Sequence, residues 1–179
     1  MRVQRFGEHR AMPWANGLGT SYEVASDRNA DGEWTWRVAI APVVIDGPFS
    51  VMPGVDRQLV VINGEGMTLS IDGEIVECPP GRVVRFSGDS VTIARLVDGP
   101  VVDLGLMTVR GLVTGSMVVV GDVGDVVESD VLVAIGDTVF EDENGQHYVL
   151  EAKDALRDAR GHQLVLQSGA AIGIKVESP

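Results

Sequence analysis

The chain has 179 residues, 45% of them hydrophobic, with 22 Gly, 8 Pro and a formal net charge of −12 from 14 basic and 26 acidic side chains. That is apolar content enough for one domain, or for two small ones packed together, and the acidity leaves no basic footprint for nucleic acid. The lack of an unbroken apolar run of helix-spanning length argues against a transmembrane helix, and Cys78, alone, excludes an internal disulfide framework. No apolar segment of the secretory kind follows Met1–Phe6, so the expected location is the cytoplasm.

Taken in order, residues 2–6 predict a short first strand. Residues 11–24 are glycine-rich and then extended, and residues 27–32 form a polar surface loop. The stretch Trp34–Arg57 carries the most information. Trp34, Trp36, Val38 and Ile40 alternate and share one strand face, while Thr35, Arg37, Ala39 and Ala41 share the other. Pro42 and Asp46-Gly47-Pro48 end that strand, Phe49-Ser50 restart an extended run, and Pro53-Gly54 makes a second turn before Asp56-Arg57. Leu59–Ile62 lead into the hairpin signal Asn63-Gly64-Glu65-Gly66. Further short strands follow at 67–71, 74–78, 83–86, 91–97 and 101–110, separated by Asp72-Gly73, Pro79-Pro80-Gly81, Ser87-Gly88-Asp89 and Asp98-Gly99-Pro100. This rhythm predicts an antiparallel β sandwich or barrel. Residues 152–159 read either as a helix or as a strand and turn.

The second half repeats the first. At an offset of 72 residues, Asp72-Gly73 falls on Asn144-Gly145, Cys78 on Leu150, Val84-Arg85 on Leu156-Arg157 and Ile93-Ala94 on Val165-Leu166. The expected architecture is therefore all-β, two related antiparallel β-barrel or sandwich halves packed as one unit. The expected division is 1–110, carrying the pocket, and 111–179, with a structural role.

Few residues carry recognisable chemistry. His9, His147 and His162 are scattered, read as surface residues, and give no ligand spacing, so no metal and no other cofactor is expected. Gly17-Leu18-Gly19 lacks the βαβ setting of a dinucleotide fingerprint. It is either a glycine-permitted bend, the favoured reading, or a loop whose N–H groups face a small anion. Cys78 before Pro79-Pro80 reads as a small buried hydrophobe, and Ser21 and Ser50 lack a nucleophile context. Glu23 and Asp56 read as ordinary ion-pair partners rather than a catalytic carboxylate pair. Arg37 and Arg57 lie where partial burial is expected, and a buried arginine needs a carboxylate from the protein or from a ligand. Both options stand, an internal Glu23–Arg57 pair being the protein-only one.

Several blocks together resemble a family. Pro13-Trp14-x-Asn16-Gly17-x-Gly19-x-Ser21-x-Glu23 is similar to the P-W-K-N-G-G-G-x-T-x-E segment of HutD/Ves proteins. Trp34-x-Trp36-Arg37, Asp46–Ser50, Pro53–Arg57, Phe86–Asp89, Leu96–Pro100 and Asp103–Met107 resemble its further blocks, in order, up to about Gly111. The resemblance implies a cytoplasmic bicupin without the usual cupin metal histidines. It implies a regulatory or small-molecule-binding role linked to histidine utilisation or environmental stress, with no established enzymatic activity. Ala15 stands in place of the usual lysine, Tyr22 of arginine and Gly105 of asparagine, a loss of two cations and one amide that changes the ligand preference if those side chains touch the ligand.

The expected function is metal-free binding of a small carboxylate metabolite, with a regulatory role in catabolism or stress response. The expected ligand-binding residues are Trp14, Asn16, Gly17, Glu23, Trp36, Arg37, Asp56 and Arg57. Expected partners are that metabolite, with neither nucleic acid nor membrane; a homo-oligomer is compatible. The alternative is an isomerase or hydrolase using Glu23 or Asp56 as base with Arg57 holding an anion. A structural or interaction protein without a ligand is the third reading.

Overall fold

The computed structural model describes residues 1–14, 17 and 19–178. In chain order the strands are β1 (Arg2–Gln4), β2 (Arg10–Pro13), β3 (Thr20–Arg28), β4 (Trp34–Val43), β5 (Gly47–Pro48), β6 (Val55–Asn63), β7 (Met67–Ile71), β8 (Glu74–Cys78), β9 (Val84–Ser87), β10 (Thr92–Leu96) and β11 (Val101–Val109). They continue with β12 (Thr114–Val120), β13 (Val126–Val127), β14 (Val131–Ala134), β15 (Thr138–Asp142), β16 (His147–Leu150), β17 (Ala155–Arg157), β18 (Leu164–Ser168) and β19 (Ala171–Glu177). One 3-10 turn spans Phe6–Glu8, and the described residues contain no α-helix. The segment 152–159 resolves to a turn followed by β17, the strand-and-turn alternative.

The chain forms two compact units. One is built from Arg10–Thr114, the other from Gly115–Glu177 together with Met1–His9. The expected boundary is thus corrected at the N-terminus. Strand β1 pairs antiparallel with β17, with Val3 opposite Leu156, so the first residues belong to the later unit.

In the unit Arg10–Thr114, a six-stranded sheet has the order β2-β3-β4-β11-β6-β9 and a four-stranded sheet the order β5-β10-β7-β8. Every strand pairing in them is antiparallel. Val43, Leu59, Val61, Val84 and Val101 from the first sheet meet Met67, Leu69, Cys78 and Ala94 from the second in one buried cluster. The hairpin β7–β8 turns at Asp72-Gly73, both with positive φ, the backbone that the Asp-Gly pair supplies at least cost.

In the other unit, a five-stranded sheet has the order β1-β17-β14-β19-β12 and a four-stranded sheet the order β13-β18-β15-β16. Its interior is filled by Phe140, Leu132, Leu150, Leu156, Leu164 and Leu166, all fully buried. Strand for strand, β13-β18-β15-β16 repeats β5-β10-β7-β8, and β17-β14-β19-β12 repeats β9-β6-β11-β4. The repeat seen in the sequence is therefore a repeat of topology, with β2 and β3 added to one unit and β1 to the other.

Candidate functional site: an arginine pocket on the six-stranded sheet

The inner face of the six-stranded sheet is set by alternation. On β11, Asp103, Gly105 and Met107 point one way; on β4, Arg37, Ala39, Ala41 and Val43 do so, and on β6, Arg57 and Leu59. Cross-strand register places Met107 opposite both Arg37 and Arg57, and Gly105 opposite both Ala39 and Leu59. With Met12, Pro13, Trp14, Ser21, Pro48, Phe49, Ser50, Met52 and Gln58 these side chains enclose a cavity of about 240 Å³.

The tryptophan wall is built by the glycine-rich block. Trp14 N–H donates to the Gly19 carbonyl at 2.9 Å, and its indole Nε1–H donates to Ser21 Oγ at 2.7 Å. The indole packs against Gly19, where a Cβ would come within 2.7 Å of the ring. Glycine there is a seat for Trp14.

Arg57 is held from four directions. Its guanidinium lies 5.1 Å from the Phe49 ring centroid and 4.9 Å from that of Phe86, and its Nη1 donates to the Ser50 carbonyl at 3.1 Å. The loop carrying Phe49 and Ser50 is pinned by the Leu96 N–H, which donates to Asp46 Oδ1 at 2.8 Å, and by the Phe49 N–H, which donates to the Thr92 carbonyl at 2.8 Å. Asp103 completes the setting. It is 5% exposed, and burial pushes its carboxyl up to about 7, the field of Arg57 offsetting part of that rise. Burial likewise lowers the Arg57 guanidinium, against the pull of Asp103. Among the described residues, no carboxylate comes within ion-pair distance of Arg57.

Arg37 has a partner. Its Nε lies 3.3 Å from Glu23 Oε2 at an angle that makes an ion pair without a hydrogen bond, and Glu23 also accepts from Arg10 Nη2 at 3.0 Å. The guanidinium stacks 4.7 Å from the Trp34 ring centroid.

Of the residues expected at the site, the structure brings Trp14, Arg37 and Arg57 together around the cavity. Glu23 stands behind Arg37 rather than among the lining residues, and the anticipated Glu23–Arg57 pair is replaced by Glu23 with Arg37 and Arg10. Trp36 shares the face of the buried Val38 and Ile40, opposite to Arg37, as strand alternation requires. Asp56 leaves the pocket for Arg110, whose Nη2 donates to its Oδ1 at 2.8 Å. Gly17 is an exposed turn glycine with φ +70°, its N–H donating to the Trp14 carbonyl at 3.0 Å. Asn16 and Ala15 lie outside the described residues, and Tyr22 is on strand β3 opposite Ile40.

Sequence reasoning missed Asp103, Phe49 and Phe86. The available signal was Asp103, the one charged residue in the run Val101–Val109. It also placed His9 on the surface. His9 is 6% exposed, its Nε2 is 3.0 Å from the Lys153 carbonyl, and burial lowers its pKa. His147 is exposed and pairs with Glu141, and His162 is half-buried and pairs with Glu143. Among the described residues no three His, Cys, Asp or Glu side chains converge as metal ligands, and no helix is long and apolar enough to cross a membrane.

The chain is 33% identical over 110 residues to an uncharacterised 21.2 kDa protein from the hutC 3′ region of Pseudomonas putida, covering 60% of this chain and 57% of that protein. It is 34% identical over 106 residues to protein Ves of Citrobacter koseri, covering 56% of each. These matches span a little over half the length of those relatives. The structure of HutD from Pseudomonas fluorescens SBW25, solved in a formate condition, superposes with a TM-score of 0.84 at 25% identity, covering 99% of this chain and 98% of that one. The fold is all-β and of the cupin type. With the HutD family model matching residues 7–173, the chain belongs to the HutD family.

Proposed function

We propose that this chain binds a small carboxylate metabolite in the pocket of the unit Arg10–Thr114, and acts through that binding as a regulator rather than as an enzyme. One observation carries the reading. Arg57 is fixed between Phe49 and Phe86 with its guanidinium facing a cavity that has, among the described lining residues, one carboxyl, Asp103, which burial pushes up to about 7. A planar guanidinium fork without a protein carboxylate at ion-pair distance is the recognition element for an incoming one. The name of the P. putida relative suggests histidine catabolism as the setting, and the cytoplasm is the proposed location.

The test is titration of purified protein with butyrate and formate, followed by tryptophan fluorescence and melting temperature. Binding quenches the emission, since Trp14 walls the cavity. Arg57→Ala weakens it by about 1.5–3 kcal/mol, or about ten- to a hundredfold, and Arg57→Lys recovers part. Unaltered affinity in Arg57→Ala removes the reading.

The enzymatic alternative no longer has its bases at the pocket, because Glu23 is held by two arginines and Asp56 by Arg110. Asp103 favours it instead, as a pocket carboxyl able to exchange a proton near pH 7. Turnover of a carboxylate that is lost in Asp103→Asn while binding persists supports that second reading.

A further inference from the structure

Two arginines line the cavity, and they lie on one rung. Met107 on β11 is in register with Arg37 on β4 and with Arg57 on β6, the two strands that flank it. Neighbouring strands are about 4.8 Å apart, so the two arginine backbones are roughly 10 Å apart across the sheet. Both side chains project from the same face into the same cavity. Between them the floor is Met107, an adaptable apolar side chain, and Gly105 one rung away. A Cβ on Gly105 would meet nothing nearer than 3.9 Å, so the floor has room above it.

The second arginine is incompletely satisfied. Arg37 Nε is buried and, among the described residues, has no hydrogen-bond acceptor, although Glu23 lies 3.3 Å away. Glu23 accepts its hydrogen bonds from Arg10 Nη2 and Ser26 Oγ instead. A buried guanidinium donor without an acceptor is costly, and one ligand oxygen relieves it. Charge agrees. Among the described residues, the acidic partners of Arg10, Arg37 and Arg57 are Glu23 and Asp103, a local positive excess in a chain of net charge −12.

We propose that the pocket is built for a small dicarboxylate, one carboxylate on the Arg57 fork, the other on Arg37, and the carbon chain over Met107 and Gly105. This rests on the carboxylate-binding reading above and adds to it the second anionic group and the residue that recognises it. Arg57 fixes one end through the Phe49 and Phe86 rings. Arg37, backed by Trp34 and Glu23, measures the distance to the other.

Isothermal titration of the full chain compares succinate, glutarate and adipate with butyrate and valerate at constant ionic strength. The expected result is that at least one dicarboxylate binds ten times or more tighter than both monocarboxylates. Arg37→Gln then loses about ten times more affinity for that dicarboxylate than for butyrate, and Arg37→Lys regains part of the preference. Arg57→Ala weakens both classes. Circular dichroism and the melting temperature of each variant establish that it is folded. Equal affinity for both classes in the wild-type protein overturns the dicarboxylate assignment and leaves carboxylate binding standing. So does an equal loss for both classes in a folded Arg37→Gln. Binding of neither class by the wild-type protein overturns both readings.

Discussion

Asp56 and Arg57 are adjacent in the chain and project from opposite faces of β6: Asp56 accepts from Arg110 outside the cavity, and Arg57 reaches into it between two phenylalanine rings. The Asp-Arg pair that looks like one functional unit in the sequence is two, one structural and one facing ligand. Asp56→Asn is therefore expected to leave butyrate affinity within twofold of wild type. Its side chain is 57% exposed, so the lost ion pair costs no more than about 1 kcal/mol of stability. Chemical denaturation and titration of this variant beside Arg57→Ala check the separation.

Asp103 makes both stability and binding depend on pH. Its carboxyl rises from an ordinary 3.8 to about 7 on folding, so between those values the folded chain holds more protons than the unfolded one. Stability from this group falls as pH rises through that window and is flat above it. Asp103→Asn should then raise the melting temperature at pH 8 and change it little at pH 3.5. Carboxylate affinity should climb as pH drops from 8 to 6, because a protonated Asp103 no longer competes for Arg57. The same titration in Asp103→Asn should be nearly flat.

Gly19→Ala is expected to destabilise by about 1–3 kcal/mol, the usual cost of overpacking. The new Cβ would come within 2.7 Å of the Trp14 indole, and tilting the ring breaks its bond to Ser21 Oγ. A red-shifted tryptophan emission and weakened butyrate binding should accompany the lower melting temperature. An unshifted emission spectrum would show that the ring is not seated as described.

Cys78 is fully buried, and burial pushes its thiol up to about 11. A thiol in that state is scarcely ionised at pH 8 and out of reach of reagents. Ellman's reagent should therefore find no reactive thiol in the native protein and one per chain in guanidinium. Rapid labelling of the native protein would contradict the burial.

Much of the architecture was legible because turn chemistry is local. Asp72-Gly73 and Asn144-Gly145 announce hairpins from two adjacent residues each, and their offset exposes the repeated strand order. The alternation also separated the two faces from Trp36 to Ala41, yet the tryptophans drew attention to the wrong one, and Trp34, expected on the face opposite Arg37, stacks on its guanidinium. Trp36 belongs with Val38 and Ile40, and the pocket takes Arg37, Ala39 and Ala41. What sequence hides is register. Nothing local says that Met107 lies between Arg37 and Arg57, that Phe49 and Phe86 close on the same guanidinium, or that Asp103 faces it. His9 was misplaced for the same reason, since its cover comes from Lys153, far along the chain.

The pairing of β1 with β17 sets an order of events during synthesis. Strand β1 leaves the ribosome long before its hydrogen-bonding partners on Ala155–Arg157, which lie about 150 residues further along the chain. The unit Arg10–Thr114 is continuous and can collapse while the remainder is still being added. Throughout that interval the nascent N-terminal strand waits with an unsatisfied edge, open to capture by another chain. Its brevity, three residues, limits that hazard, and the arginine at its head keeps it in water.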